Sequence, residues 1–168
     1  AFNHSQGNLW WGISALALYW SYIHQGNLEE ANKVSQKLQK ATHYEDEKIF
    51  IQWLNAQMVF SEGRISDALP YYFNILNTPL RESALFQIGK AYFEDNKFRE
   101  SLTNLDILLL EFPNSRYLEE SLFIKGECLV QLGDLTQASA LFGSLFKRKR
   151  NSLWQLFALA ETGSLALA

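Results

Sequence analysis

Residues 89–101 carry the stretch GKAYFEDNKFRES, and its pattern recurs along the chain. Related stretches are YWSYIHQGNLEEA at 19–31, AQMVFSEGRISDA at 56–68 and GECLVQLGDLTQA at 126–138. Each stretch has a turn-forming residue, an apolar residue two positions later and a small residue three positions after that. The turn residues lie 37, 33 and 37 positions apart, at Gly26, Gly63, Asn96 and Gly133. The chain is therefore built of internal repeats.

The repeat pattern predicts two helices joined by a tight turn. Gly and Asn tolerate the left-handed backbone conformation that ends a helix. The apolar residue after the turn, such as Leu135, fills the gap between the helices, and the small residue, such as Ala138, lets them approach closely. Longer turns through Pro79 and Pro113 separate successive helix pairs.

These signals predict nine helices, which cover most of the chain. We expect Pro70 in or just past the first turn of the fourth helix, or else a kink there. We expect Ser115 or Asn114 to cap the seventh helix. The predicted helices are 9–25, 28–41, 46–62, 66–77, 81–95, 98–111, 116–132, 135–147 and 152–168.

The repeats resemble tetratricopeptide repeats (TPRs). The third repeat matches that family's pattern at Leu85, Gly89, Tyr92, Asn96, Ser101, Leu105 and Pro113. The fourth repeat matches at Leu122, Gly126, Leu129, Gly133, Ala138 and Phe142, whereas Arg150 stands where the family has Pro. The first repeat departs most, because bulky Tyr19 stands where the family has Gly or Ala.

The resemblance covers nearly the whole chain and implies an all-α fold. That fold is a right-handed α-α superhelix, a TPR solenoid of about four helix pairs plus a final helix. We expect one domain over 1–168, with repeats at 9–41, 46–77, 81–111 and 116–147 and a final helix at 152–168. We also expect this domain to be a piece of a longer chain.

Residues 91–129 resemble a narrower group within the family. This group comprises bacterial envelope proteins of the outer-membrane assembly lipoprotein type and of the type that coordinates the Tol–Pal system. The resemblance implies a bacterial protein, in the periplasm or envelope rather than in the cytoplasm.

Composition argues against several classes of function. The net charge is −3, and the only concentrated basic run is 147–150, whereas a nucleic-acid binder normally has a basic face. No stretch reaches the roughly 18 apolar residues of a transmembrane helix. The single Cys128 excludes an internal disulfide and is expected to be a small buried hydrophobe.

The sequence predicts neither a metal site nor an enzyme active site. His4, His24 and His43 share no helix face, and the chain has no CxxC or HExxH motif. It also has no GxxxxGK[ST] or GxGxxG loop that would bind phosphate. We therefore expect no cofactor and no catalysis.

The resemblance implies which first-helix positions line the concave face of the solenoid and contact a protein or peptide partner. We call them the strip residues: Trp20, Trp53, Gln57, Phe60, Phe86, Lys90, Phe93, Phe123 and Glu127. Such a strip would hold an apolar or amphipathic segment in a groove. Alternatively, the same aromatic side chains pack between neighbouring helices as part of the core.

Three functions remain open at this point. The leading one is a protein-interaction scaffold in a bacterial envelope assembly. A second is a structural array whose repeats stack on flanking repeats or on other copies, because the first and last helices are apolar on nearly every side. In the last helix, SLWQLFALAETGSLALA at 152–168, Glu161 is the only charge. A third is a non-catalytic accessory region of a larger enzyme.

Overall fold

The computed structural model describes residues 15, 17–23, 25–41, 45–148 and 152–166. Every regular element in these ranges is a helix, which confirms the all-α fold. The predicted helical residues 9–14, 16, 24 and 167–168 lie outside the described ranges. The helices are α1 (17–23), α2 (Leu28–Ala41), α3 (Glu45–Ser61), α4 (Ile65–Asn74), α5 (Arg81–Glu94), α6 (Phe98–Glu111), α7 (Leu118–Gln131), α8 (Leu135–Phe146) and α9 (Leu153–Ala166).

The helix boundaries agree with the prediction to within three residues in the described part. Pro70 lies in the second turn of α4, just past the first turn. The predicted cap of α7 is wrong, because the residue before the helix is Tyr117 and no side chain caps it. Ser115 instead forms a turn: its Oγ accepts a hydrogen bond from the Tyr117 amide at 3.0 Å. That turn delays the start of α7 by two residues.

The four repeat turns share one backbone arrangement. The turn residue has a positive φ in each, 69° at Gly26, 75° at Gly63, 58° at Asn96 and 82° at Gly133. The amide of the next residue then donates to the carbonyl five positions back, as from Lys97 to Tyr92 at 2.8 Å. This pairing is the Schellman motif, which satisfies the last carbonyls of a helix. The prediction of left-handed helix ends is confirmed.

Within each pair the helices approach closely at small residues. The small residues of the four repeats, Ala31, Ala68, Ser101 and Ala138, are fully buried. Gly89 faces Leu105, and Gly126 faces the ring of Phe142. A Cβ atom at Gly126 would lie 2.3 Å from Phe142 Cε1, so no larger residue fits there without movement of the ring. The role predicted for the small residues is confirmed.

The contacts divide the chain into two compact units, one ending at Ile75 and the other beginning at Leu76. In the first unit α3 packs against α2 and α4. Bulky Tyr19 is accommodated in this unit because its hydroxyl reaches α3, where it donates to the Leu54 carbonyl at 2.5 Å.

The second unit contains the pairs α5–α6 and α7–α8 and the helix α9, which packs against α7 and α8. One core cluster of this unit contains Leu85, Phe86, Leu105, Leu108, Ile124 and Cys128. A second cluster contains Ala138, Phe142, Leu145 and Ala158. Cys128 is fully buried, which confirms the expectation of a small buried hydrophobe.

Candidate functional site

In the first unit the strip residues form part of an aromatic cluster. The rings of Trp20 and Trp53 lie 6.2 Å apart, and Trp53 stacks on Phe50 with ring centroids 5.7 Å apart. All three side chains are half-buried, so each keeps some surface in solvent. The cluster therefore combines packing inside the unit with an accessible apolar edge.

The other two strip residues of the first unit lie on α3. Gln57 donates through Nε2 to the hydroxyl of Tyr72 at 3.0 Å, which fixes the orientation of its amide. Phe60 is half-buried and lies at the end of the helix, where its carbonyl accepts the Gly63 amide of the turn. Both positions retain partial exposure, whereas Tyr72, which accepts the hydrogen bond from Gln57, is fully buried.

Phe86 differs from the other strip residues because it belongs to the core. Only 3% of its surface is exposed, and its ring stacks on Tyr117 at 4.2 Å with an interplanar angle of 5°. The Tyr117 ring also contacts a cation, because the Arg116 guanidinium lies 4.6 Å from its centroid. A partner cannot contact Phe86 in this conformation, which corrects the expectation that it lines the strip surface.

Lys90 and Phe93 follow Phe86 on α5. The Lys90 ammonium forms an ion pair with Glu120 of α7, with Nζ 3.2 Å from Oε1. Lys90 is about one-third exposed, and such pairs contribute roughly 0–1 kcal/mol to stability, so its main effect is to hold the two side chains in place. Phe93 is half-buried, with its ring 6.0 Å from that of Phe98.

Phe123 lies at the centre of an aromatic group that the sequence prediction missed. Its ring is 5.4 Å from Trp154, 5.8 Å from Phe157 and 5.7 Å from Phe142. Trp154 follows Tyr117 by the repeat spacing of 37, as Phe123 follows Phe86. In both repeats, therefore, an aromatic near the start of the next first helix, Tyr117 just before α7 or Trp154 in α9, lies against the aromatic of the preceding first helix. The spacing was a usable signal for Trp154 and Tyr117.

Glu127 lies one turn after Phe123 on α7 and is half-buried. Burial raises the pKa of its carboxyl above the usual range, and repulsion from Glu161 of α9 raises it further. Within the described ranges its Oε1 is buried and has no hydrogen-bond partner. Oε1 itself is out of reach of a partner, but the side chain as a whole is partly exposed, and a cationic group placed beside it would reduce the repulsion between the two carboxyl groups.

The strip residues thus offer aromatic surface and a carboxylate for binding. In the part of the chain that the structure describes, no three His, Cys, Asp or Glu side chains are grouped so that they could hold a metal ion. Among those same residues, no helix has both the length and the apolar character needed to cross a membrane.

Comparison with known proteins supports the repeat architecture. Residues 83–115 match the sequence profile of the tetratricopeptide repeat family. The chain has a TM-score of 0.73 and 13% identity to a kinesin-light-chain-like protein of Podosopora anserina, which has nearly identical TPR-like repeats; the match covers 92% of this chain and 84% of that one. A tetratricopeptide repeat protein of Parabacteroides merdae gives a TM-score of 0.74 at 16% identity, over 92% of this chain and 60% of that one.

No curated protein sequence matches the chain. The identities to the solved structures are low, so these structures define its fold alone. Tetratricopeptide repeats generally act as non-catalytic scaffolds that mediate protein–protein interactions. The chain contains a tetratricopeptide repeat at 83–115, and its fold is that of a tetratricopeptide-repeat solenoid.

Proposed function

We propose that the chain is a protein-interaction scaffold that binds an apolar or amphipathic segment of a partner protein. In each unit the strip residues other than Phe86 would contact such a segment: Trp20, Trp53, Gln57 and Phe60 in the first unit, or Lys90, Phe93, Phe123 and Glu127 in the second. The proposal depends on one observation above all: these first-helix side chains, although packed, remain partly exposed. Partly exposed aromatics on a rigid helix are typical anchors of a protein interface.

The chemistry of the second unit favours a segment with a basic residue beside its apolar ones. Phe93 and Phe123 provide apolar contact area, and the half-buried Glu127 adds a carboxyl group on the same helix as Phe123. A Lys or Arg side chain would be attracted by the carboxyl groups of Glu127 and Glu161. The ion pair of Lys90 with Glu120 leaves no strongly basic spot on this surface, so an acidic segment would be disfavoured.

A peptide selection tests this proposal directly. A displayed library of random peptides is selected on the whole chain, and the dissociation constants of the enriched peptides are measured by fluorescence anisotropy. We expect enriched peptides to combine large apolar residues with Lys or Arg. Because interface anchors contribute about 2 kcal/mol or more, Phe93→Ala should weaken binding roughly 30-fold.

Two further variants make the selection interpretable. Glu127→Gln should remove the preference for basic peptides over neutral ones of the same apolar content. Leu110→Ala is the control, because Leu110 is 83% exposed on the second helix of the same pair as Phe93. Binding should be nearly unchanged in this control. If Phe93→Ala binds like wild type, or Leu110→Ala weakens binding as much, the strip residues are not the binding surface.

The structural array remains the second candidate, because large apolar side chains of α9 are exposed. Leu153 is 69% exposed and Leu156 is 63% exposed. Exposure of such side chains forgoes about 1.5–3 kcal/mol each relative to burial, which favours a covering surface.

We propose the bacterial envelope as the compartment, on the resemblance of residues 91–129 to envelope proteins. Fractionation of cells that express the natural full-length protein tests this. A periplasmic or envelope-bound pool supports the proposal, and an exclusively cytoplasmic pool contradicts it.

A further inference from the structure

Arg116, in the connection between α6 and α7, is exposed but held in a fixed position. Its guanidinium lies 4.6 Å from the centroid of the Tyr117 ring. Its Nη2 donates hydrogen bonds to Ser83 Oγ at 3.2 Å and to the hydroxyl of Tyr117. A cation–π contact and hydrogen bonds of this kind restrict the rotamers of an arginine, so the guanidinium is preorganised for a further contact.

Arg116 has no carboxylate partner among the residues that the structure describes. Within the same ranges Glu82 interacts with Arg116 only through the backbone amide, which lies 3.3 Å from Glu82 Oε1. The basic side chains of α5 and α7, by contrast, all have a carboxylate partner, in the pairs Arg81–Glu111, Lys90–Glu120 and Lys125–Asp106. The charge of Arg116 is therefore left for an acceptor from outside the chain.

Ser83, Arg116 and Tyr117 together offer more hydrogen-bond donors than acceptors. The two hydroxyl oxygens accept from Arg116 Nη2, and they lie 3.2 Å apart, so one hydroxyl donates to the other. The second hydroxyl hydrogen and the N–H groups on Nε and Nη1 meet no acceptor within the described part of the chain. A ligand that only accepts hydrogen bonds matches this set, and an ionised carboxylate is such a group.

The surroundings of Arg116 favour a ligand with a single negative charge. Glu82 lies beside the guanidinium, and the first turn of α7 contains Glu119 and Glu120. A phosphate group carries nearly two negative charges at neutral pH, so these carboxylates would repel it more strongly than they would repel a carboxylate. One guanidinium is also matched in charge to one carboxylate.

The repeat architecture does not require a cation at position 116. Tyr117 and Trp154 are equivalent residues, 37 positions apart, and each lies against an aromatic of the preceding first helix. The residue before Trp154 is Leu153, which occupies the place of Arg116. This aromatic contact therefore forms without a guanidinium in the next repeat, and helix packing alone does not explain why residue 116 is an arginine.

The group around Arg116 is continuous with the strip residues of α5. Ser83 precedes Phe86 by three residues and Lys90 by seven, so the three lie on one face of the helix. Phe93 lies a further three residues along, about 15 Å from Ser83 at 1.5 Å per residue. The group is thus at the opposite end of α5 from Phe93, away from the surface around Phe93 and Glu127 that disfavours acidic groups.

We propose that Arg116, Ser83 and Tyr117 form a subsite for one carboxylate group of the partner segment. The carboxylate comes from an Asp or Glu side chain or from the C-terminus of the segment. The inference rests on the proposed function, because a segment bound to the strip residues of the second unit delivers the carboxylate. Arg116 supplies the charge, and the two hydroxyl groups hold its guanidinium in place and add one donor.

Parallel peptide selections test the subsite. A random library displayed with free C-termini is selected on the wild-type chain, on Arg116→Gln and on Arg99→Gln. Arg99→Gln is the matched control, because Arg99 is an exposed arginine on α6 and the same charge is lost. Peptides from wild type and from Arg99→Gln should share a carboxylate at a fixed distance from their apolar residues, and peptides from Arg116→Gln should lack it. Circular dichroism should show equal helix content in all three proteins.

Synthetic peptides measure the effect and distinguish the two sources of the carboxylate. In one derivative of the best wild-type peptide the shared Asp or Glu is replaced by Asn or Gln, and in another the C-terminus is amidated. The derivative that lacks the bound carboxylate should bind wild type about 5- to 10-fold more weakly in fluorescence anisotropy. Arg116→Gln should bind this derivative as well as it binds the parent peptide.

The outcomes separate the subsite from the scaffold function. Enriched peptides without a shared carboxylate, or an equal weakening of the derivative in Arg116→Gln, would overturn the subsite and leave the scaffold function standing. Loss of the acidic preference in Arg99→Gln would do the same. If no peptide is enriched on the wild-type chain, the scaffold function fails and the subsite fails with it.

Discussion

Gly126 offers a sharp test of how closely the helices of a pair approach. We consider Gly126→Ala, which adds one methyl group on α7 where that helix faces Phe142 of α8. The new Cβ would lie 2.3, 2.5 and 2.9 Å from three carbons of the Phe142 ring. Carbon atoms in contact are normally about 3.5–4.0 Å apart, so the ring must move by more than about 1 Å. Phe142 is fully buried, so its ring cannot move out into solvent without disturbing the neighbouring core residues.

The size of the effect follows from two opposing terms. Overpacking a buried site costs about 1–3 kcal/mol, and a displaced aromatic ring belongs at the upper end of that range. The exchange of Gly for Ala inside a helix stabilises by about 1 kcal/mol. We therefore expect the free energy of unfolding to fall by about 1–2 kcal/mol.

Gly143→Ala is the matched control on α8. A Cβ at Gly143 meets nothing within 4 Å, so only the helix-propensity gain remains. This variant should be more stable than wild type by up to about 1 kcal/mol. In a chain of this length about 1 kcal/mol corresponds to a melting-temperature shift of about 2–4 °C. The two variants should therefore move the melting temperature in opposite directions.

Thermal and urea unfolding, followed by circular dichroism, provide the comparison. The opposite signs do not depend on the absolute stability, because each protein is compared with wild type under the same conditions. If Gly126→Ala is as stable as Gly143→Ala, then α7 and α8 are farther apart than described and the repeat register at Gly126 is wrong.

Three further predictions follow from single side chains. Because the pKa of Glu127 is raised in the folded state, the folded protein binds more protons than the unfolded one above about pH 4.3, and stability falls as the pH rises through this window. Urea titrations should find Glu127→Gln more stable than wild type at about pH 7, with no difference below about pH 4; an equal difference at both values would contradict this. The Cys128 thiol, whose pKa is raised by burial, should react with Ellman's reagent only after unfolding, and rapid labelling of the native chain would show that it is accessible. Asn96→Gly should stabilise by about 1 kcal/mol in the same titrations, since Asn96 has a φ of 58°, and a loss of stability would mean that its side chain contributes more than the relief of strain.

The repeat turns could be predicted from the sequence because their cause is local. A left-handed residue at a helix end needs Gly or Asn, and this requirement recurs at a readable spacing. The buried small residues, such as Ala138, were predictable for the same reason. A short turn fixes which residue of the second helix faces the first, and that residue lies five positions after the turn residue in every repeat.

The burial of Phe86 could not be predicted from the periodicity of its own helix. Its cover, Tyr117, precedes the next first helix by one residue, and its position depends on the turn at Ser115. The family pattern places Phe86 on the strip but does not identify the side chain that lies above it. The same limit applies to Phe123, which Trp154 and Phe157 approach from a helix 30 residues later.

The aromatic side chains that lie over Phe86 and Phe123 imply an order in which the helices of the second unit unfold. Tyr117 shields Phe86, and Trp154 shields Phe123, so each pair depends on the helix that follows it in the chain. Loss of α9 uncovers Phe123 of α7, and subsequent loss of α7 together with Tyr117 uncovers Phe86 of α5. Loss of α5, by contrast, leaves Trp154 in place over Phe123. In repeat proteins neighbouring units stabilise one another through such interfaces. We therefore expect fraying, and degradation by a protease, to advance from α9 towards α5.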